Sequence, residues 1–222
     1  METEVLVLAA TNRELEGVLT KLDEPIHIGE HSVVGVCTGV GKVQSALAAL
    51  KALYVHNPRL VVLLGYAGAL DPCLDIADLV VATKVVQYDL DLRAFGLQRG
   101  QTFDGGGRIV PASIDLYAPD LNGTKKVVLG TADRFLLRSY REQNPYLTEE
   151  LGLGASDMEG FGIAQACVMQ AIPCTILRVI SDDAKGHRPK DFKRFVRQAN
   201  ERLHDGLLQL LEVPKEKSPT SL

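Results

Sequence analysis

The residues able to do chemistry stand in short stretches at the ends of apolar runs. Ala10-Thr11-Asn12-Arg13-Glu14 places a carboxylate three residues after a hydroxyl. That spacing suits helix capping first of all, with Glu14 favourable near the positive helix end. Thr38-Gly39-Val40-Gly41-Lys42 sets two glycines ahead of a helix, where backbone can approach an anion or a sugar. It lacks the glycine spacing of a P-loop and the third glycine of a dinucleotide fingerprint, so an ordinary tight turn explains it as well. Gly65-Tyr66-Ala67-Gly68-Ala69 again puts small residues after an apolar run. Ser156-Asp157-Met158-Glu159-Gly160 opens a helix, and Arg178-Val179-Ile180-Ser181-Asp182-Asp183 ends a strand. Arg178 lies inside an otherwise apolar strand, so its charge must be paired or wet. Glu159 and Glu14 are its natural partners, either in a structural ion pair or in a site.

The elements that must position these residues alternate between strand and helix. Val5–Ala10 is short, continuous and apolar, as a strand buried on both faces should be. Thr11 or Asn12 caps a helix with Leu15, Val18, Leu19 and Leu22 on one face. Val33–Cys37 is a second strand, and a helix over 43–55 carries Ala46, Leu47, Leu50 and Leu53. Leu60–Leu64, Leu79–Val86, Lys126–Leu129 and Thr175–Ile180 are further strands. Met158–Met169 is a helix with Ile163, Ala166 and Cys167 inward. The last helix starts near Pro189, a suitable first-turn residue, and runs to about Leu211 with Leu203, Leu207, Leu208 and Leu211 on its apolar side. Such alternation predicts an α/β fold, a three-layer α/β/α sandwich around a central mixed, largely parallel sheet. Ligands in open α/β sheets gather at the carboxyl ends of strands, which is where the polar stretches fall.

The 222 residues, 46% hydrophobic, suffice for one large domain, expected over 1–212, with a solvated tail over 213–222. Net charge is -4 and Lys and Arg are scattered, so no nucleic-acid partner is expected. The four cysteines form no C-x-x-C pair and read as buried reduced thiols, and the histidines offer no clustered metal ligands. Glu2 and Glu4 occupy the place of a positive signal-peptide region, and no apolar stretch reaches the ~20 residues of a membrane helix. A cytoplasmic enzyme is expected, with no membrane partner.

In this order, Gly39-Val40-Gly41-Lys42-Val43, Ala67-Gly68, Ala94-Phe95-Gly96, Asp157-Met158-Glu159 and Arg178-Val179-Ile180-Ser181-Asp182 resemble the nucleosidase branch of the purine nucleoside phosphorylase and uridine phosphorylase superfamily. Within it the sequence is most similar to nucleosidases acting on 5′-methylthioadenosine and S-adenosylhomocysteine. The resemblance runs from about Glu4 to Leu211. It implies a homodimer that uses neither metal nor organic cofactor and acts on a small nucleoside. It implies that Glu14 orients and deprotonates the attacking water, and that Asp182 hydrogen-bonds N7 and the exocyclic amine of adenine. Met158 and Glu159 would bind the ribose, and Arg178 would help hold that glutamate and the water. Phe135 and Leu136 would frame the base, with Ser181 and Gly68 beside it. Phe192 would line the 5′-pocket, and Phe95 would reach into the neighbouring subunit's pocket.

The chemistry agrees with these roles. N-glycosidic cleavage passes through a sugar cation, so the leaving base needs a proton and the water needs a carboxylate. Asp182 would have to hold its proton near neutrality, which a dry, partly apolar pocket would favour. The sequence also departs from the family. Tyr66 replaces a small hydroxyl residue, the Tyr88–Asp91 stretch is shorter, and Thr102-Phe103 stands where a proline is usual. The last of these changes falls in the region that shapes the 5′-pocket, so a futalosine-type nucleosidase of menaquinone synthesis is the alternative. A phosphorylase would need arginines gathered round a phosphate, for which Lys42 and Arg178 are a poor set. A non-catalytic binding protein on the same fold would be expected to lose one of the two carboxylates.

Overall fold

The structure is a computed structural model and describes residues 3–213. The expected tail, from 214 on, lies outside the described residues. β1 (Val5–Ala9) leads through the short α1 (Asn12–Leu15) to a hairpin of β2 (Ile26–Ile28) and β3 (His31–Cys37). Next come α2 (Lys42–His56), β4 (Leu60–Ala69) and β5 (Leu79–Gln87). A small ribbon of β6 (Gln101–Phe103) and β7 (Ile109–Pro111) precedes β8 (Ser113–Asp115) and β9 (Thr124–Thr131). The chain ends with α3 (Arg138–Gln143), α4 (Tyr146–Glu149), β10 (Ala155–Asp157), α5 (Gly160–Met169), β11 (Cys174–Asp182) and α6 (Phe192–Glu212).

The main sheet runs β10-β9-β5-β11-β4-β1-β3-β2, with β8 on β5. It is mixed, as expected. The β1–β3, β1–β4, β4–β11, β5–β9 and β9–β10 pairs are parallel, and β5–β11, β2–β3 and β5–β8 antiparallel. β10 also pairs with β4, so β4, β11, β5, β9 and β10 close on themselves. This closure is invisible in the sequence. It brings Gly68 of β4 opposite Ser156 of β10, while Arg178 of β11 lies beside Gly65 of β4.

The two faces of each strand feed two cores, as strand alternation requires. Leu6 and Leu8 of β1, Val61 and Leu63 of β4, and Ile176 and Ile180 of β11 pack under α2 and α5. Val5 and Val7, Val62 and Leu64, and Leu177 and Val179 pack against α1 and α6. Arg178 has the parity of the first face and takes a place that an apolar side chain would otherwise fill. In α6, Phe195, Ala199, Leu203, Leu207 and Leu210 return every three or four residues and are buried, so the helix lays one stripe on the sheet.

Several boundaries differ from the sequence expectation. The first helix stops at Leu15, so Val18, Leu19 and Leu22 pack from the loop beyond it rather than from a helical face. β4 runs through Gly65-Tyr66-Ala67-Gly68 instead of ending before it, because those residues continue the ladder with β11. The helix expected from Met158 starts at Gly160, since Ser156 and Asp157 are held in β10. The last helix is capped by Asp191, whose carboxylate accepts the Arg194 N–H at 3.0 Å, so Pro189 precedes the helix. Leu210 replaces Leu208 and Leu211 among its fully buried residues. α2 buries Ser45, Ala49, Ala52 and Leu53 and leaves Leu47 exposed. Of the cysteines, Cys167 and Cys174 are buried, Cys37 is half-buried and Cys73 is exposed, and all are free thiols.

Candidate active site

A cavity of about 390 Å³ opens at the carboxyl ends of β1, β4 and β11, beside β10. It is lined by Glu14, Gly68, Phe135, Leu136, Met158, Glu159, Ser181, Asp182 and Phe192 among others. Nine of the residues singled out from the sequence therefore meet in one place. Arg178 stands behind the floor. Phe95 does not line the cavity; it lies on a short 3-10 turn and is 72% exposed.

Glu14 is fixed by its own helix end. One carboxylate oxygen accepts the Thr11 N–H at 2.9 Å and the Thr11 hydroxyl at 3.1 Å, while the other accepts the Tyr66 N–H at 3.2 Å. Capping and a place in the cavity are thus compatible: Glu14 caps α1 and faces the cavity. Gly65 makes this possible. A Cβ on it would strike the Arg178 guanidinium and stand 2.5 Å from the Glu14 carboxylate. The backbone at this glycine is thus approached closely by the protein's own side chains.

Arg178 is fully buried and organises the floor. Its Nη2 donates to Asp157 Oδ2 at 2.5 Å and to Glu159 Oε2 at 3.4 Å, and its Nη1 donates to the Leu64 carbonyl at 3.2 Å. Burial penalises the guanidinium charge, but Asp157, Glu159 and Glu14 outweigh it and hold the group above its ordinary range. The main partner is Asp157, which the sequence reading did not single out although it adjoins Met158 and Glu159. Asp157 is itself clamped by the Thr131 hydroxyl at 2.6 Å and the Gly160 N–H at 2.9 Å.

Glu159 accepts the Gly41 N–H at 3.1 Å. The glycine turn thus presents a backbone N–H to this carboxylate of the same chain. Burial pushes the Glu159 carboxyl up to about 7; Arg178 opposes the shift and Asp157 adds to it. Lys42 is taken by Asp89 at 2.5 Å and Asp133 at 3.8 Å.

At the other end, β11 shifts register against β4 between Ile180 and Asp182. Such a bulge re-aims side chains, here those of Ser181 and Asp182. The Ser181 hydroxyl donates to Asp182 Oδ1 at 2.8 Å. Asp182 Oδ2 receives Arg141 Nη2 in a buried ion pair, and Arg141 also donates to the carbonyls of Asp183 and Leu136. A buried cation thus stands directly beside the Asp182 carboxylate. Nothing in the sequence around Arg141 marked it, since it comes from a short helix flanked by other charged residues. Gly68 makes room, because a Cβ there would stand 2.9 Å from Arg141 and 3.0 Å from Asp182. Tyr66 turns its phenol toward α6, where the hydroxyl donates to Asn200 Oδ1 at 2.7 Å and the ring meets Phe195 edge-on.

The site thus has a buried carboxylate pair around an arginine, a second carboxylate at each end, and an aromatic rim. That set offers several carboxylate acceptors for the hydroxyl or N–H groups of a small polar ligand, and two separate carboxylates placed for proton transfer. Known proteins carry the same frame. A family model described as the phosphorylase superfamily matches residues 1–212. An aminodeoxyfutalosine nucleosidase of Campylobacter jejuni is 33% identical over 174 residues, spanning 75% of this chain and 74% of that protein. A 5′-methylthioadenosine/S-adenosylhomocysteine nucleosidase of a Shewanella species is 30% identical over 186 residues, spanning 81% and 79%. The crystal structure of the Campylobacter jejuni 5′-methylthioadenosine/S-adenosylhomocysteine nucleosidase superposes with a TM-score of 0.78 at 26% identity, covering 95% of this chain and 99% of that one. With a match over almost its whole length, the chain belongs to the phosphorylase superfamily.

Proposed function

We propose that this protein is a hydrolase that cleaves the N-glycosidic bond of purine nucleosides of the 5′-methylthioadenosine and S-adenosylhomocysteine type, releasing adenine and the thioribose. The observation that carries the reading is the convergence of Glu14, Glu159 and Asp182 on one cavity. Glu159, with Met158, takes the ribose hydroxyls. The C1′–N9 bond breaks with its electron pair leaving on the base, and Asp182 passes a proton to N7. Arg141 then stabilises the carboxylate left behind. Water adds to C1′ and gives its proton to Glu14. Arg178 positions Glu159 and Asp157 without touching the substrate. Phe135, Leu136, Ser181 and the Gly68 backbone frame the base, and Phe192 lines the 5′ side.

Hydrolysis rather than phosphorolysis is supported by the two cations weighed for phosphate. Lys42 is held by Asp89 and Asp133, and Arg178 by Asp157 and Glu159. A second reading, hydrolysis of aminodeoxyfutalosine, is favoured by the Campylobacter jejuni relative of that name. The enzyme works as a homodimer in this reading, with Phe95 completing the neighbour's site. Val43, Leu47 and Tyr54 on α2, and separately Phe95, are exposed apolar side chains of the kind that a dimer contact covers. Its setting is cytoplasmic nucleoside catabolism and methionine salvage. Adenine release from 5′-methylthioadenosine, without and with phosphate, tests the proposal. Release that ignores phosphate is expected; release only with phosphate overturns hydrolysis, and no release shifts the substrate to aminodeoxyfutalosine.

A further inference from the structure

The buried face of α6 is apolar except at Asn200, which is 4% exposed. Asparagine is a poor choice inside a helix and a costly one inside a core unless its amide is bonded. Here both ends of the amide are bonded. Its Oδ1 accepts the Tyr66 hydroxyl at 2.7 Å, and its Nδ2 donates to the carbonyls of Arg13 at 2.8 Å and Glu16 at 2.7 Å. Four residues further along the same face, His204 Nδ1 donates to the Val18 carbonyl at 3.1 Å. α6 therefore holds the chain between 13 and 18 by three of its carbonyls.

That stretch is the support of Glu14. α1 is about one turn long, Asn12–Leu15. A single turn does not hold itself together in water, because fixing the first turn costs more than its few bonds give. Carbonyls at the end of a helix also lack partners within it. Asn200 supplies a donor to two carbonyls, one residue before Glu14 and two residues after it. Its third partner reaches the same carboxylate from another side, since Tyr66 donates its backbone N–H to Glu14 Oε1 at 3.2 Å. The Tyr66 ring is set edge-on to Phe195 of α6, with centres 5.5 Å apart. Thr11 in the cap of α1 and Tyr66 in β4, the two residues that donate to Glu14, are thus tied to one amide.

We propose that Asn200 is the positioning residue of the general base: it fixes where Glu14 stands by holding α1 and Tyr66 together. Asn200 is not among the residues that line the cavity, so it acts through Glu14 and not on the substrate. The inference rests on the proposed nucleosidase reading, in which Glu14 takes the proton of the attacking water. A general base works only within hydrogen-bond reach of the proton it removes. Its displacement therefore lowers the rate of the chemical step. Nucleoside affinity is spared, because sugar and base are held elsewhere, by Glu159 and Asp182.

The test is cleavage of 5′-methylthioadenosine by the full-length protein and its variants N200A, L203A, E14Q and E14Q/N200A, with aminodeoxyfutalosine in its place if only that nucleoside is cleaved. N200A should lower kcat about ten- to a hundredfold and leave KM within about twofold. L203A opens the core three residues along the same helix and should keep its kcat although it is destabilised. Single turnover at high enzyme concentration reads the rate that E14Q retains. Adding N200A to E14Q should change that rate by less than about twofold, because a residue acting through Glu14 has nothing left to act through. N200S can still hold one of the two carbonyls and should recover part of kcat; it is read in place of N200A, by the same criteria, if N200A does not fold. An unaltered kcat in N200A overturns the proposal. So does an equal loss of kcat in L203A, or a loss in N200A that multiplies with that of E14Q. In each of those cases the wild type still releases its base, and the nucleosidase reading stands. A wild type that cleaves neither nucleoside overturns that reading, and the role of Asn200 falls with it.

Discussion

Replacing Glu159 by Gln should change the stability of the protein in a pH-dependent way that no loss of packing can imitate. The folded-state carboxyl is pushed from 4.5 up to about 7, first of all by burial. A group that binds its proton more tightly when folded contributes stability at low pH. That contribution is full below the unfolded value and is lost as pH rises through about 7. A tenfold gain in proton affinity on folding corresponds to about 1.4 kcal/mol, so between pH 4.5 and pH 7.5 the wild type gives up roughly 3 kcal/mol that the glutamine variant keeps. A glutamine satisfies either the Gly41 N–H or Arg178, but not both, which costs about 1 kcal/mol at every pH. E159Q should therefore be the less stable protein by about 1 kcal/mol near pH 4, equal to the wild type near pH 5, and the more stable by about 2 kcal/mol near pH 8. Urea unfolding followed by circular dichroism across that range measures the crossing. A difference between the two proteins that stays constant with pH would refute the reasoning. In the same variant, nucleoside affinity should fall, because the sugar loses its charged acceptor.

Further outcomes are expected from other positions. D182N should abolish adenine release with a modest effect on ligand affinity, and near-normal turnover would remove the acid role. G65A forces a methyl between Arg178 and Glu14, so it should cost more than about 2 kcal/mol and most of the activity, read by thermal unfolding and adenine release. Y66F leaves Asn200 Oδ1 without its donor and should cost about 1 kcal/mol while retaining turnover, since the hydroxyl bonds Asn200 rather than a carboxylate of the cavity. L203A, in the core under α6, should cost roughly 2 to 5 kcal/mol with an unaltered KM.

The parts of the fold that the sequence made legible are those where one local signal dominates. Apolar runs such as Val5–Ala9 and Cys174–Ile180 marked buried strands, and the lone charge of Arg178 within one of them marked the floor of the cavity. What stayed hidden depended on distant parts of the chain. The closure through β10 joins three residues to two strands at once, and three residues show no periodicity. Asp157 lay within a stretch already singled out, but its role comes from Arg178 and Thr131, which are remote in sequence. Arg141 is the clearest case. Its helix is six residues long and shows no apolar face, and only the folded chain brings it to Asp182. The turn of Tyr66 toward α6 was equally unreadable, since Asn200 lies on the last helix.

The floor around Arg178 also bears on how the protein is made. Its contacts join residues near 14, 65, 157, 159 and 178, so no single stretch of chain can form it early. Contacts of that range close late, after the local helices and hairpins have formed. A chain released from denaturant should therefore recover its helical signal before it can bind a nucleoside. A chain still emerging from the ribosome has no floor until β11 has been synthesised and threaded between β4 and β5. Nucleoside binding is then a faithful report of completed folding, in the cell as in the cuvette.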